Sequence, residues 1–177
     1  MSKVLAILGE LSDRDIDWMI ANGSKEKITT DTILINEGQP IDALYIVLDG
    51  TMKAYVSAVG DKEIGIIAAG EVLGEMSFVD GRLPSATVKA IEDSLVLSIS
   101  KQKLSEKLEQ DVLFSLRFYR AVTRFLSTRL RGTVTRFSDQ PEVVYPDVEL
   151  NNNIEIGGEN SALARSRYET LMVRLKG

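Results

Sequence analysis

The residues Gly74 to Val88, GEMSFVDGRLPSATV, combine side chains and spacing that suit the binding of a small anion. A glycine lets backbone approach a ligand closely, and an acid, Glu75, follows it. A turn at Asp80-Gly81 intervenes, and Ser85, Ala86 and Thr87 lead small and hydroxyl-bearing residues into a strand. Backbone N–H groups at the start of a helical turn after Gly74 can point at an anion. The strand begins with Pro84, which carries no charge and lacks a backbone N–H. Arg82, two residues upstream, is the nearest substitute cation. It can also be read as a solvated loop residue beside Asp80, and the sequence leaves both readings open. Gly74, Glu75, Met76, Arg82, Ser85, Ala86 and Thr87 are the candidate ligand-binding residues.

The rest of the composition removes chemistry rather than adding it. The 177 residues contain no cysteine and no histidine. Disulfides, thiol nucleophiles, zinc–thiolate sites and imidazole acid–base catalysis are excluded. No nucleophile–base pair or metal-ligand set stands out, so no catalytic residue, metal or enzyme activity is expected. No apolar run reaches the roughly 18–20 residues of a membrane span, and the N-terminus lacks the pattern of a signal peptide. The expectation is a cytoplasmic protein that does not use a membrane.

The net charge of −5 is unevenly spread. From Asp111 to Phe137 there are six arginines (117, 120, 124, 129, 131 and 136) and one acid. From Ser138 to Glu159 there are six acids and no Lys or Arg. An acidic tail that folds back on the basic segment is one reading, and two solvated surfaces are the other.

The elements that must position Gly74–Val88 are mostly short. Ser12 with Asp15 three residues later reads as a capping box opening a helix over 12–22, with Ile16, Met19 and Ile20 on one face and Gly23 as a left-handed cap. Runs Thr32–Ile35, Leu44–Leu48, Met52–Val56, Ile64–Ile67, Ser85–Ile91 and Leu95–Ile99 read as strands, with a hairpin signal at Asp49-Gly50. The expected fold is mainly β with flanking helices: an antiparallel β-barrel of double-stranded β-helix or jelly-roll type. Lys101–Gln110 reads as a short helix and Asp111–Phe137 as a long one. Leu113, Leu116, Tyr119, Val122, Leu126 and Leu130 form a stripe on the long helix, flanked by Phe114, Phe118 and Phe125, with the arginines mostly on a solvated face. That apolar surface is more than a small barrel covers, so a homodimer through the long helix is expected. Beyond Phe137, prolines, asparagines and Gly157-Gly158 mark a linker, and Ala162–Leu175 reads as an amphipathic helix. Its apolar face comprises Ala164, Tyr168, Leu171, Met172 and Leu175, with Arg165, Arg167 and Arg174 elsewhere. The chain thus divides into 1–137 and a tail, 138–177.

ILINEGQPIDALYIVLDG (33–50) and GEVLGEMSFVDGRLPSATVKA (70–90), in this order, resemble two motifs of the cyclic nucleotide-binding domain. That is the module of the catabolite activator protein family and of the regulatory subunits of cyclic-AMP-dependent protein kinase. The resemblance runs from about Leu8 to Phe137. It implies that 70–90 is a phosphate-binding cassette for cyclic AMP or cyclic GMP. It also implies that Glu75 accepts a ribose 2′-hydroxyl and that Ser85 and the backbone at Ala86 contact the phosphate. The family's phosphate-binding arginine falls on Pro84. A charge-assisted hydrogen bond is worth roughly 1.5–3 kcal/mol, so its loss weakens phosphate binding by about tenfold to a hundredfold. The 40 residues after Phe137 are too few for a helix-turn-helix domain, so no DNA binding by this chain is expected. Two functions stand side by side: a regulatory sensor of cyclic nucleotide-binding type with a degenerate phosphate site, and a ligand-independent dimeric scaffold for an unidentified protein partner.

Overall fold

The computed structural model describes residues 5–137 and 159–176. Apart from Glu159, the acidic run, read either as folding back on the long helix or as a solvated surface, lies outside the described residues. The strands in chain order are β1 (Ser24–Ile28), β2 (Ile33–Ile35), β3 (Ala43–Asp49), β4 (Thr51–Val56), β5 (Lys62–Ala68), β6 (Val72–Leu73), β7 (Thr87–Ala90) and β8 (Ser94–Ser100). The helices are α1 (Leu5–Glu10), α2 (Asp13–Asn22), α3 (Glu75–Asp80), α4 (Lys101–Gln110), α5 (Val112–Phe137) and α6 (Glu159–Lys176).

The strands form two antiparallel four-stranded sheets, ordered β1-β8-β3-β6 and β2-β7-β4-β5. The expected closed barrel is therefore corrected to two facing sheets, with no strand pair joining them among the described residues. The edge strands β6 and β2 have two and three residues, too few to bridge from one sheet to the other. Asp49-Gly50 is not a hairpin either, because β3 and β4 lie in different sheets. Gly50 (φ 87°) crosses between them with its Cα against Ser94, whose Cα would stand 2.7 Å from an added Cβ. The hairpin is the next connection, β4 to β5, through Gly60 and Asp61, both at positive φ.

The first sheet is buried on both faces. Leu44, Ile46, Leu48, Leu97 and Ile99 face the helices, and Val47 and Val96 pack with Ile35, Met52, Ile67 and Val88 between the sheets. Two-sided burial explains why β3 reads as a continuous apolar run, ALYIVL, and not as an alternation. No helix among the described residues is long and apolar enough to cross a membrane.

The capping box of α2 forms as expected: the Ser12 amide donates to Asp15 Oδ2 (2.7 Å), and the Asp15 amide to Ser12 Oγ (3.3 Å). Gly23 is extended (φ −88°) and not left-handed; a Cβ there would meet Leu97 Cδ1 at 2.6 Å, so close packing is what requires glycine. In α5 the inward stripe is Phe114, Phe118, Ala121, Val122 and Phe125. Phe118 stacks on Phe114 and meets Phe78 edge-on, with centroids 5.9 and 5.7 Å apart. Leu113, Leu116, Tyr119 and Leu130 instead face solvent, Leu116 being 65 % exposed. The larger rings claim the core and turn the leucine stripe outward.

The arginines of α5 are not mainly a solvated face. Arg117 forks onto Asp15 (Nε–Oδ2 2.6 Å, Nη2–Oδ1 2.9 Å), Arg120 and Arg124 bind Glu10, and Arg129 binds Glu75. Helix α6 docks on α1 and α2. Leu171 is fully buried, the Tyr168 hydroxyl donates to the Leu48 carbonyl (2.8 Å), and Arg167 reaches Asp13 (2.8 Å) and the Leu8 carbonyl (3.1 Å).

Burial raises the Asp15 carboxyl. Hydrogen bonds from Arg117 and from the Ser12 backbone and hydroxyl, with the Arg117 charge, outweigh it and hold the group below the usual carboxylate range. A depressed folded-state value means that this stabilisation is complete above the unfolded-state value, about 3.9, and is lost as pH falls through the lower folded-state value. Asp15→Asn, which breaks the fork to Arg117, is expected to cost about 2–4 kcal/mol at neutral pH. In urea titrations that deficit should hold steady from neutrality down to roughly pH 5 and shrink below roughly pH 4. A deficit that stays constant into strong acid would contradict the assignment.

Candidate ligand-binding site

The site is built by three elements that meet over the outer sheet. A cavity of about 690 Å³ lies between β5, the segment from β6 through α3 to β7, and the last third of α5. Its walls are largely aliphatic, with Ile35, Ile41, Ile67, Leu73 and Val88 among them. The chain enters the cassette at Gly74, which is left-handed (φ 85°); a Cβ there would lie 2.8 Å from Ile41 Cδ1 and 3.1 Å from the Ala43 carbonyl. Only glycine meets both demands comfortably. Helix α3 then runs from Glu75 to Asp80 and ends at Gly81, whose amide donates to the Ser77 carbonyl (3.2 Å).

Gly74, Glu75, Met76, Arg82, Ser85 and Ala86 line the cavity. Thr87 does not: it is buried, and its hydroxyl accepts the Glu37 amide (3.1 Å). The Pro84 carbonyl accepts the Gly38 amide (2.8 Å), so two bonds tie the start of β7 to the turn after β2. The Arg82 side chain is 85 % exposed, with its Nε 3.9 Å from Asp80 and its amide bonded to the same carboxylate (2.9 Å). Of the two readings left open for Arg82, this geometry corresponds to the loop residue beside Asp80.

Glu75 is 2 % exposed and does not stand alone. Arg129 Nη1 donates to its Oε1 at 2.6 Å, and Arg129 Nη2 lies 3.9 Å from Glu71, which is also buried. The same guanidinium sits over the Phe125 ring, 4.8 Å from its centroid. Burial pushes the Glu75 carboxyl up. The Arg129 charge and the residue's own backbone N–H pull it back part of the way, and the Glu71 charge adds to the rise.

Arg129 and Glu71 escaped the sequence reading, as did Gly132 and Thr133, which also line the cavity. A signal for Arg129 existed. Phe114, Phe118 and Phe125 mark the inward face of α5 at spacings of four and seven, and Arg129 follows four residues later on that face. With α5 as one wall and the cassette as the opposite one, a ligand filling the cavity touches both at once.

The family model described as the cyclic nucleotide-binding domain matches residues 25–111. An uncharacterised NTE-family protein of Mycobacterium tuberculosis H37Rv is 26 % identical over 120 residues, which is 68 % of this chain and 20 % of that protein. The chain thus spans about a fifth of the length of that relative. The cAMP-activated global transcriptional regulator CRP of Pasteurella multocida is 25 % identical over 132 residues, 72 % of this chain and 60 % of that one. A crystal structure of a cyclic nucleotide-binding domain from Methylobacillus flagellatus superposes with a TM-score of 0.69 at 20 % identity, covering 80 % of this chain and 85 % of that one; at that identity the likeness concerns the fold alone. Residues 25–111, which carry the Gly74-Glu75 segment lining the cavity and Pro84, thus match the cyclic nucleotide-binding domain family.

Proposed function

We propose that this chain is a regulatory sensor module in which a small ligand held by the cassette changes how α5 sits on the domain. The observation that carries this reading is the 2.6 Å bond from Arg129 of α5 to Glu75 of the cassette. It places the candidate ligand contact and the candidate output helix in one hydrogen bond. A ligand that engages Glu75 must compete with Arg129 or join it, and either event biases the position of α5. The sensing unit is residues 1–137, with 138–177 as an appendage. The Pasteurella relative, named as cAMP-activated, supports a ligand of cyclic nucleotide type. Pro84 makes the phosphate part of that site degenerate, so cyclic AMP and cyclic GMP bind weakly.

Titration calorimetry with both nucleotides tests this directly. Pro84→Arg is expected to bind at least one of them about tenfold to a hundredfold more tightly than wild type. Hydrogen exchange over residues 126–137 should change when the variant is saturated. Saturation with no change in exchange there would favour the second reading, a scaffold that uses the fold without a ligand, which Pro84 on its own also suits.

The exposed Leu113, Leu116, Tyr119 and Leu130 run along the outside of α5. We infer that a second copy of α5 covers them, giving a homodimer whose geometry the ligand adjusts. Leu116→Asp should convert a dimer to a monomer in light scattering at micromolar concentration. Because Leu116 makes no core contribution, the monomer's stability should change by less than about 0.5 kcal/mol. A wild-type monomer under the same conditions rejects the dimer.

A further inference from the structure

The charges lining the cavity do not suit an anion. Four carboxylates, Glu63, Glu71, Glu75 and Asp80, face three cations, Lys62, Arg82 and Arg129. The two most buried of them, Glu71 and Glu75, share a single guanidinium, 2.6 Å from one and 3.9 Å from the other. Two carboxylates against one arginine leave net negative charge in the part of the lining farthest from solvent, where charges interact most strongly. The remaining cations do not offset it. Arg82 is exposed beside Asp80, and Lys62 is exposed at the first position of β5. Pro84 supplies nothing.

A phosphate held between the cassette and α5 would thus meet a buried carboxylate pair whose neighbouring cation, the partly exposed Arg129, is already engaged. A neutral molecule meets no such repulsion. Its hydroxyl or amino groups can donate to the Glu71 and Glu75 oxygens, and its body can cover the exposed Ile66, Met76 and Leu83 of the lining. We infer that the ligand of this cavity is an uncharged molecule, a flat apolar or heterocyclic body bearing hydroxyl or amine donors, and that the cavity selects against the phosphate-bearing form of the same body. This rests on the sensor reading above and names its ligand class. Adenosine and guanosine are the matched probes, since each shares its body with a cyclic nucleotide and lacks the charge.

Titration calorimetry of wild-type protein with adenosine, guanosine, cyclic AMP and cyclic GMP, at low and at high ionic strength, decides the matter. At least one nucleoside is expected to bind about tenfold or more tightly than its cyclic phosphate, with an affinity unchanged by salt. Glu71→Gln removes one buried charge at constant shape. It should narrow the gap several-fold, by raising cyclic nucleotide affinity and weakening the nucleoside whose donors it meets. The wild-type ratio decides alone if that variant does not fold. A cyclic nucleotide that binds wild type as tightly as its nucleoside overturns the ligand class and leaves the sensor reading standing. Binding by none of the four to wild type, with a cyclic nucleotide captured by Pro84→Arg, also overturns it and leaves a degenerate phosphate site. No binding to either protein removes the sensor reading as well.

Discussion

The position of α5 is the constraint on which the rest of the molecule depends, and charge fixes it at both ends. Near its start, Arg117 forks onto Asp15, the residue that also closes the capping box of α2. Twelve residues on, Arg129 reaches Glu75 at the first turn of α3. Between them Phe118, Val122 and Phe125 fill the space over the first sheet. Apolar burial supplies most of the stabilisation but is non-directional, and a helix with apolar residues on two faces could settle at another rotation. Bidentate and buried ion pairs add little net energy after desolvation, yet they tolerate only one geometry. The phenylalanines thus hold α5 down while the arginines set its rotation, and the leucine stripe is left facing out as a consequence.

This division explains what the sequence made legible. Strands and helices with strong local signals were read correctly: β3 and β8 from continuous apolar runs, α2 from its Ser12–Asp15 cap, and α4 near its observed bounds. β1 was missed because SKEKI is polar, held in the sheet by pairing with β8 rather than by its own pattern. β6 was missed because two residues carry no periodicity, and α1 lay before the first cap signal. The choice between barrel and facing sheets depends on which strands pair. Asp49-Gly50 looked like a hairpin because local turn chemistry does not say that β3 finds β8 and β6 as its partners.

The site divides in the same way. Six of the seven candidate residues lie on the cavity wall because they are consecutive or nearly so, and one loop carries them all. Thr87 fails because β7 alternates, and its hydroxyl turns to the Glu37 amide. Arg129 and Glu71 complete the site through contacts that span 54 and 58 residues of chain, which no local motif encodes. The arginines of α5 looked solvated because helical spacing alone could not distinguish an outward charge from one paired with a buried acid on another element.

Pro84 changes more than charge. Its carbonyl takes the Gly38 amide while its ring narrows the backbone freedom of the loop between α3 and β7. That loop, already closed at Gly81 and pinned by Thr87, has fewer conformations open to it. A cassette that relies on an arginine gains affinity from a strong contact made only by an anion. One with proline keeps its shape without a ligand and offers backbone, a carboxylate and aliphatic walls. Within that cavity a short polar contact is internal, between Arg129 and Glu75, so under the proposed sensor function a ligand acts on α5 by redistributing that bond and not by tight binding alone.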